Sequence, residues 1–103
     1  MDEMPLSVGA VDICSQWSEW QNRDSPNDLF DNEMIYAQNR NDICSKPTAA
    51  QGRIKATQQM ATTQNVQMRL NGLFCANNQN YGGCVDYEVR FCCPGNTFSL
   101  FKQ

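Results

Sequence analysis

Six cysteines in a chain of 103 residues constrain the fold of this protein more than any other feature of its sequence. A zinc site usually has thiolate ligands in close C-x2–4-C pairs, and the sequence contains no such pair. An even number of widely spaced cysteines instead favours disulfides, which form in secreted and extracellular proteins. The sequence therefore predicts a small, disulfide-rich, secreted domain. The cysteines are Cys14, Cys44, Cys75, Cys84, Cys92 and Cys93.

The net charge and the absence of histidine exclude several functions. The chain has 8 Lys and Arg against 11 Asp and Glu, a net charge of −3, whereas nucleic-acid-binding domains present a basic patch. Without histidine, the chain cannot build Ser–His or Cys–His nucleophile pairs or histidine metal sites. No apolar run approaches the roughly 18 residues that span a bilayer. We therefore expect a non-catalytic domain that neither binds nucleic acid nor spans a membrane.

Alternation of apolar and polar residues predicts antiparallel strands. Residues 66–70 alternate in this way and are followed by a turn at Asn71-Gly72. Residues 53–57 show a weaker strand pattern. Residues 84–93 show the clearest one, with one apolar face and one polar face. We interpret the polar face as solvent-exposed and salt-bridged; it carries Asp86, Glu88 and Arg90.

A short helix is predicted over residues 29–40, with Asp31 as N-cap and Glu33 in the first turn. The expected fold is a small disulfide-rich α+β or mostly-β domain, in which an antiparallel sheet packs with this helix and long loops connect the elements. Residues 1–13 are predicted to be a loose leader. Residues 14–103 are predicted to be a single domain, including an apolar C-terminal tail that closes the core. The alternative is that this tail forms an exposed, adhesive contact.

The spacing of the cysteines indicates part of their pairing. Cys75 and Cys84 flank a short Asn- and Gly-rich loop, so a local bridge that closes this loop is the simplest pairing. Cys92 and Cys93 are adjacent on a strand and point to opposite faces, so each should reach a distant partner. Their partners are then Cys14 and Cys44, in either order.

Several short motifs occur in a fixed order along residues 14–93. They are Cys14, Trp17-Ser18-Glu19-Trp20, Asp31-Asn32-Glu33, Ile43-Cys44-Ser45-Lys46-Pro47, Gly72-Leu73-Phe74-Cys75 and the run from Cys84 to Cys93. In this order the set resembles the WxxW domain, also called the CysD domain, of gel-forming mucins and of cartilage intermediate layer protein. One departure stands out. The family's cysteines in a Q-C-R and a V-x-C segment are both absent from Gln51-Gly52-Arg53 and Val66-Gln67-Met68, as the loss of one whole disulfide predicts.

Asp24, Asp28, Asp31 and Glu33 lie within ten positions and form an acidic loop. The resemblance implies a structural Ca²⁺ ion between this acidic loop and the loop that follows Cys75. Clustered carboxylate and amide oxygens are the ligands that Ca²⁺ prefers. An alternative is a solvated loop with Asx-turns and a helix N-cap. The candidate ligands are Asp24, Asp31, Glu33, Asn77 and Asn78.

The W-x-x-W motif resembles the acceptor sequence for C-mannosylation, which makes Trp17 a candidate for modification. At least one of Trp17 and Trp20 is also expected to pack in the core. Exposed aromatic residues anchor interfaces, so Trp17, Trp20 and Tyr81 are the candidate contact residues.

The resemblance implies an extracellular structural module that makes weak, non-covalent contacts with copies of itself or with other extracellular glycoproteins, as in the cross-linking of mucin gels. An alternative is a lectin-like domain that binds a glycan through Trp, Tyr and Asn side chains. A small hydrolase is the weakest hypothesis, because so short a chain leaves little room for a substrate cleft.

Overall fold

The structure is a computed structural model that describes residues 3–22, 30–34 and 46–93, and for residues 30–34 it describes the backbone alone. Within these ranges the chain forms short strands and two 3-10 turns, Val11–Ile13 and Asn77–Gln79. The strands are β1 (Met4–Pro5), β2 (Ser7–Gly9), β3 (Phe30–Met34), β4 (Ala49–Ile54), β5 (Ala61–Thr62), β6 (Val66–Arg69), β7 (Gly72–Ala76) and β8 (Tyr87–Cys92).

The strands form two three-stranded antiparallel sheets and one short strand pair. In the first sheet β4 lies between β2 and β8, and in the second β7 lies between β3 and β6. β1 pairs with β5. The mostly-β, antiparallel part of the predicted fold is therefore confirmed.

Apolar residues from both sheets form one buried core. β8 contributes alternate side chains, as its sequence pattern predicts, while β7 contributes Leu73 and Cys75. Because residues of both sheets pack in one cluster, the core lies between the sheets. Its buried members are Leu6, Ala50, Leu73, Cys75, Tyr87, Val89 and Phe91.

The N-terminal segment belongs to the domain, which differs from the loose leader expected for residues 1–13. Leu6 is 2% exposed. Its N–H donates to the carbonyl of Met60, and its carbonyl accepts from the N–H of Gly52. The segment has little pattern of its own, and it takes its extended conformation from pairing with β4 and β5.

The predicted helix over residues 29–40 is corrected by the structure. Residues 30–34 form β3, which pairs with β7 from Phe30 opposite Ala76 to Met34 opposite Gly72. The backbone hydrogen bonds that β7 offers outweigh a weak local preference for helix, since Asp and Asn are poor helix formers away from the N-cap. Residues 35–40 lie outside the described residues, and no α-helix occurs among the described ones.

The structure contains a strand at each of the three predicted places, but the first and last residues of these strands differ from the prediction. The strand at residues 66–70 is β6, and its hairpin with β7 places Arg69 opposite Gly72. The tight turn therefore comprises Leu70 and Asn71, one residue earlier than predicted. The strand predicted at residues 53–57 is the end of β4, which begins at Ala49. The strand at residues 84–93 is shorter, as β8 begins at Tyr87.

Two disulfides are described, and both agree with the predicted pairing. Cys75 bonds to Cys84 and closes the loop after β7. Cys14 bonds to Cys92, which selects one of the two orders that the sequence left open. Cys93 is also disulfide-bonded. Cys44 and the apolar tail at residues 98–101 lie outside the described residues.

Candidate functional site

The W-x-x-W segment lies along the free edge of β8. The backbones of Gln21 and Val89 exchange two hydrogen bonds, and an isolated bridge joins Trp17 to Cys92. Ser18 strengthens this attachment, because its N–H donates to the carbonyl of Phe91 and its hydroxyl accepts from the N–H of Phe91. The nearby Cys14–Cys92 disulfide fixes the start of the segment to the same strand. The segment therefore acts as a short additional edge of the first sheet.

The two tryptophans stack on two arginines of the sheet. The guanidinium of Arg53, on β4, lies 4.0 Å from the ring centroid of Trp20. The guanidinium of Arg90, on β8, lies 4.4 Å from the ring of Trp17 and 4.9 Å from that of Trp20. Each stack of this kind is worth about 0.5–2 kcal/mol, depending on its exposure to solvent. We call the surface formed by Trp17, Trp20, Arg53 and Arg90 the Trp–Arg face.

Polar neighbours hold both arginines in place. Arg53 Nε donates to Glu88 Oε2 at 2.5 Å, across the β4–β8 pair. Arg90 donates from Nε and Nη2 to Gln51 Oε1 at 2.9 and 2.6 Å. Burial, and secondarily the positive charge of Arg53, lower the pKa of Arg90. The hydrogen bonds to Glu88 and Gln51 hold both planar guanidinium groups under the indole rings.

This arrangement changes two of the sequence-based interpretations. Neither tryptophan belongs to the buried core; both are half-buried. The strand face that carries Glu88 and Arg90 is salt-bridged as predicted, but Glu88 is buried and the tryptophans cover this face. The sequence does carry a signal for the stack, since two tryptophans and two arginines on strands are typical cation–π partners, but their proximity depends on the attachment of residues 17–21 to β8.

Tyr81, the third candidate contact residue, is fully exposed. It lies in the loop that the Cys75–Cys84 bridge closes. Gly82 and Gly83 follow with φ near +80°, a conformation that favours glycine. Asn77 Oδ1 accepts from the N–H of Cys84 at 2.8 Å and ties the two ends of the loop together. The structure thus presents Tyr81 on a short, well-tied loop.

The β3–β7 register brings Asp31, but not Glu33, close to the end of the second sheet where the Asn77-Asn78 loop begins. Asp31 and Glu33 lie opposite Cys75 and Leu73 in the β3–β7 register, and Phe30 lies opposite Ala76. Asn77 and Asn78 directly follow β7. Amide oxygens at this place fit the oxygen ligands of Ca²⁺, although Asn77 Oδ1 already accepts one hydrogen bond.

The remaining candidate ligand, Asp24, lies outside the described residues. Among the described residues, no cluster of three or more His, Cys, Asp or Glu side chains could hold a metal ion. A Ca²⁺ site here would therefore need the acidic loop as well as the amides of Asn77 and Asn78.

A comparison with protein families identifies the family to which the chain is similar. The model described as the Mucin-2 protein WxxW repeating region covers residues 17–93, from the first tryptophan of the Trp–Arg face to the last cysteine. Neither a curated protein nor a solved structure matches the chain significantly. In the part of the chain that the structure describes, no helix is long and apolar enough to cross a membrane.

Proposed function

Because the chain belongs to the family of the mucin-2 WxxW repeating region, we propose that it is a secreted structural module that makes weak, reversible contacts with copies of itself and with neighbouring extracellular glycoproteins. Membership of a mucin-type domain family supports an extracellular, non-catalytic role. The disulfides support the same compartment, since they persist in oxidising surroundings.

The Trp–Arg face is the observation that carries the proposal of self-contact. Tryptophan and arginine, together with tyrosine, are the residues most enriched at the energetic centres of protein interfaces. Here both tryptophans are half-buried, so part of each ring remains available to a partner. The rings are held over Arg53 and Arg90, so little side-chain freedom is lost when a second copy docks.

The expected contact is weak because the surface is small. One face of a domain of 103 residues offers an interface near the lower end of specific sizes, which corresponds to micromolar or weaker affinity. Weak contacts are useful in a gel or matrix, because many linked copies bind together by avidity while each contact remains reversible.

Sedimentation velocity over a range from micromolar to millimolar protein tests this proposal. We expect the wild-type sedimentation coefficient to rise with concentration, and the Trp20→Ala variant to remain monomeric. Tyr81→Ala is the matched control, because it removes an exposed aromatic side chain from another surface and should behave as the wild type. Trp20→Phe, which keeps a ring over Arg53, separates loss of contact from loss of folding. A wild-type protein that stays monomeric at millimolar concentration would contradict the proposal.

A further inference from the structure

A second surface, which shares no residue with the Trp–Arg face, forms an open groove with a polar lining. The turn after β5 and the loop after β7 form the sides of this groove, which has a volume of about 360 Å³. This volume lies at the lower end of the range for ligand pockets. The groove is lined by Thr63, Gln64, Asn65, Gln79, Asn80 and Tyr81.

Gln64 is one of two amides that fix the base of the groove. Its Nε2 donates to the carbonyl of Gly83 at 2.8 Å. Its Oε1 accepts from the hydroxyl of Tyr87 at 2.7 Å and from the N–H of Val85 at 3.1 Å. These bonds tie the turn after β5 to the end of the disulfide-closed loop. The Gln64 side chain is therefore engaged within the protein, and its role is to hold the two sides of the groove together.

Asn80 is the second fixed amide. Its Nδ2 donates to the carbonyls of Asn65 and Ala76, each at 3.0 Å, and its Oδ1 accepts from the N–H of Asn65 at 2.6 Å. The Cys75–Cys84 bridge lies beneath it. Because hydrogen bonds already hold Gln64 and Asn80 at the base of the groove, little conformational entropy of the protein would be lost when a ligand binds.

The rim of the groove carries unused polar groups and one exposed ring. Thr63 makes no side-chain hydrogen bond within the described residues, and its side chain is exposed. The amides of Asn65 and Gln79 share a single exposed hydrogen bond of 3.5 Å. Tyr81 is fully exposed beside them. The rim thus offers hydroxyl and amide donors and acceptors next to an aromatic face.

This combination suits a neutral sugar better than an anionic ligand. A pyranose has an apolar C–H face that packs on an aromatic ring, and a circle of hydroxyls that exchange hydrogen bonds with amides and hydroxyls. None of the six lining residues is charged, and the protein carries a net charge of −3, so an anionic ligand gains nothing here. We propose that this groove binds a short neutral saccharide, such as the end of a glycan chain.

Saccharide binding would be independent of self-contact, because the two surfaces share no residue. The groove is open and shallow, so we expect affinities near millimolar. A glycan on a neighbouring molecule could then be held by many such sites together.

A titration followed by ¹⁵N NMR tests the proposal with named probes. These are galactose, N-acetylgalactosamine, N-acetylglucosamine, mannose, fucose, lactose and, as a charged counterpart of lactose, sialyllactose. We expect at least one neutral sugar to shift the backbone signals of residues 63–65 and 79–81 saturably, and lactose to bind at least as well as sialyllactose.

Two variants identify the role of Tyr81. Tyr81→Ala should weaken binding about tenfold, while Tyr81→Phe should retain it, because the ring and not the hydroxyl contacts the sugar face. Both changes lie on a fully exposed side chain and should leave the fold intact. The proposal is overturned if no sugar of the panel binds at up to tens of millimolar, if the shifts lie elsewhere, or if Tyr81→Ala binds as well as the wild type. Trp20→Ala should bind sugar normally, which separates this site from the self-contact.

Discussion

Gly52 and Met68 face each other across the two sheets at the positions where the family resemblance predicts cysteines. A Cβ atom built on Gly52 would lie 3.5 Å from Met68 Sδ, 3.4 Å from Leu6 Cβ and 2.8 Å from Leu73 Cδ1. The flexible thioether of Met68 therefore fills space beside the glycine. The two departures from the family pattern are thus neighbours in space, as the loss of one whole disulfide predicts.

Restoring both cysteines should restore a bridge. In the Gly52→Cys, Met68→Cys double variant we expect a disulfide that stabilises the domain by about 1–3 kcal/mol, as a loop of this length gives in the chain-entropy model less some strain. Peptide mapping and thermal unfolding measure the bond and its effect. The Gly52→Cys single variant is the control and should be less stable than the wild type, because its Cβ crowds the buried Leu73. Two free thiols in the folded double variant would contradict this prediction.

Trp17 remains the candidate for C-mannosylation. When the protein is secreted from a eukaryotic host, we expect the peptide that contains Trp17 to carry the mass of one hexose, and the bacterial protein to lack it. Trp20→Ala removes the second tryptophan of the motif and should abolish the modification. Tandem mass spectrometry makes the comparison. An unmodified Trp17, from cells that modify a control W-x-x-W protein, would show that the motif alone is insufficient here.

At the scale of elements, the β3–β7 pair decides where the acidic segment lies. The register places the start of β3 beside the end of β7, where Asn77 and Asn78 follow. A Ca²⁺ ion that bridges these two segments would add a link between β3 and the disulfide-closed loop. This link would stabilise the folded state by mass action, because the unfolded chain has no such site.

The Ca²⁺ prediction follows from this placement. We expect the melting temperature to rise in millimolar Ca²⁺ and to fall on chelation, with Mg²⁺ giving a smaller effect because it requires a stricter geometry. Asn78→Ala should reduce the response, since the exposed Asn78 makes no side-chain hydrogen bond within the described residues and its loss should cost little stability in chelator. A melting temperature that is indifferent to both Ca²⁺ and chelator would leave the acidic segment as solvated surface.

At the scale of the whole molecule, the sequence predicted those features that depend on neighbouring residues in the chain. Strict alternation identified β6 and the whole of β8, although it placed the start of β8 too early, and loop length identified the Cys75–Cys84 bridge. The strand β3 was missed because its extended conformation depends on pairing with β7, which is distant in sequence.

The Trp–Arg face was missed for a related reason. Its four residues come from three separate segments, and only the attachment of residues 17–21 to β8 brings them together. The sequence identified Trp17 and Trp20 as contact candidates and contains arginines that could stack on them, but residue type alone does not show that Arg53 and Arg90 lie beneath the two rings. Pairing between distant segments, rather than periodicity, therefore determines the site.

The central claim is that the Trp–Arg face makes the weak self-contact, and the indole N–H signals of a ¹⁵N-labelled sample test it most directly. The chain has two tryptophans, so both signals report on this face. As the protein concentration rises from tens of micromolar to millimolar, we expect both indole signals to shift along a saturable curve while the backbone signal of Tyr81 stays fixed. Indole signals that do not move over this range, or shifts confined to the Tyr81 loop, would contradict the account.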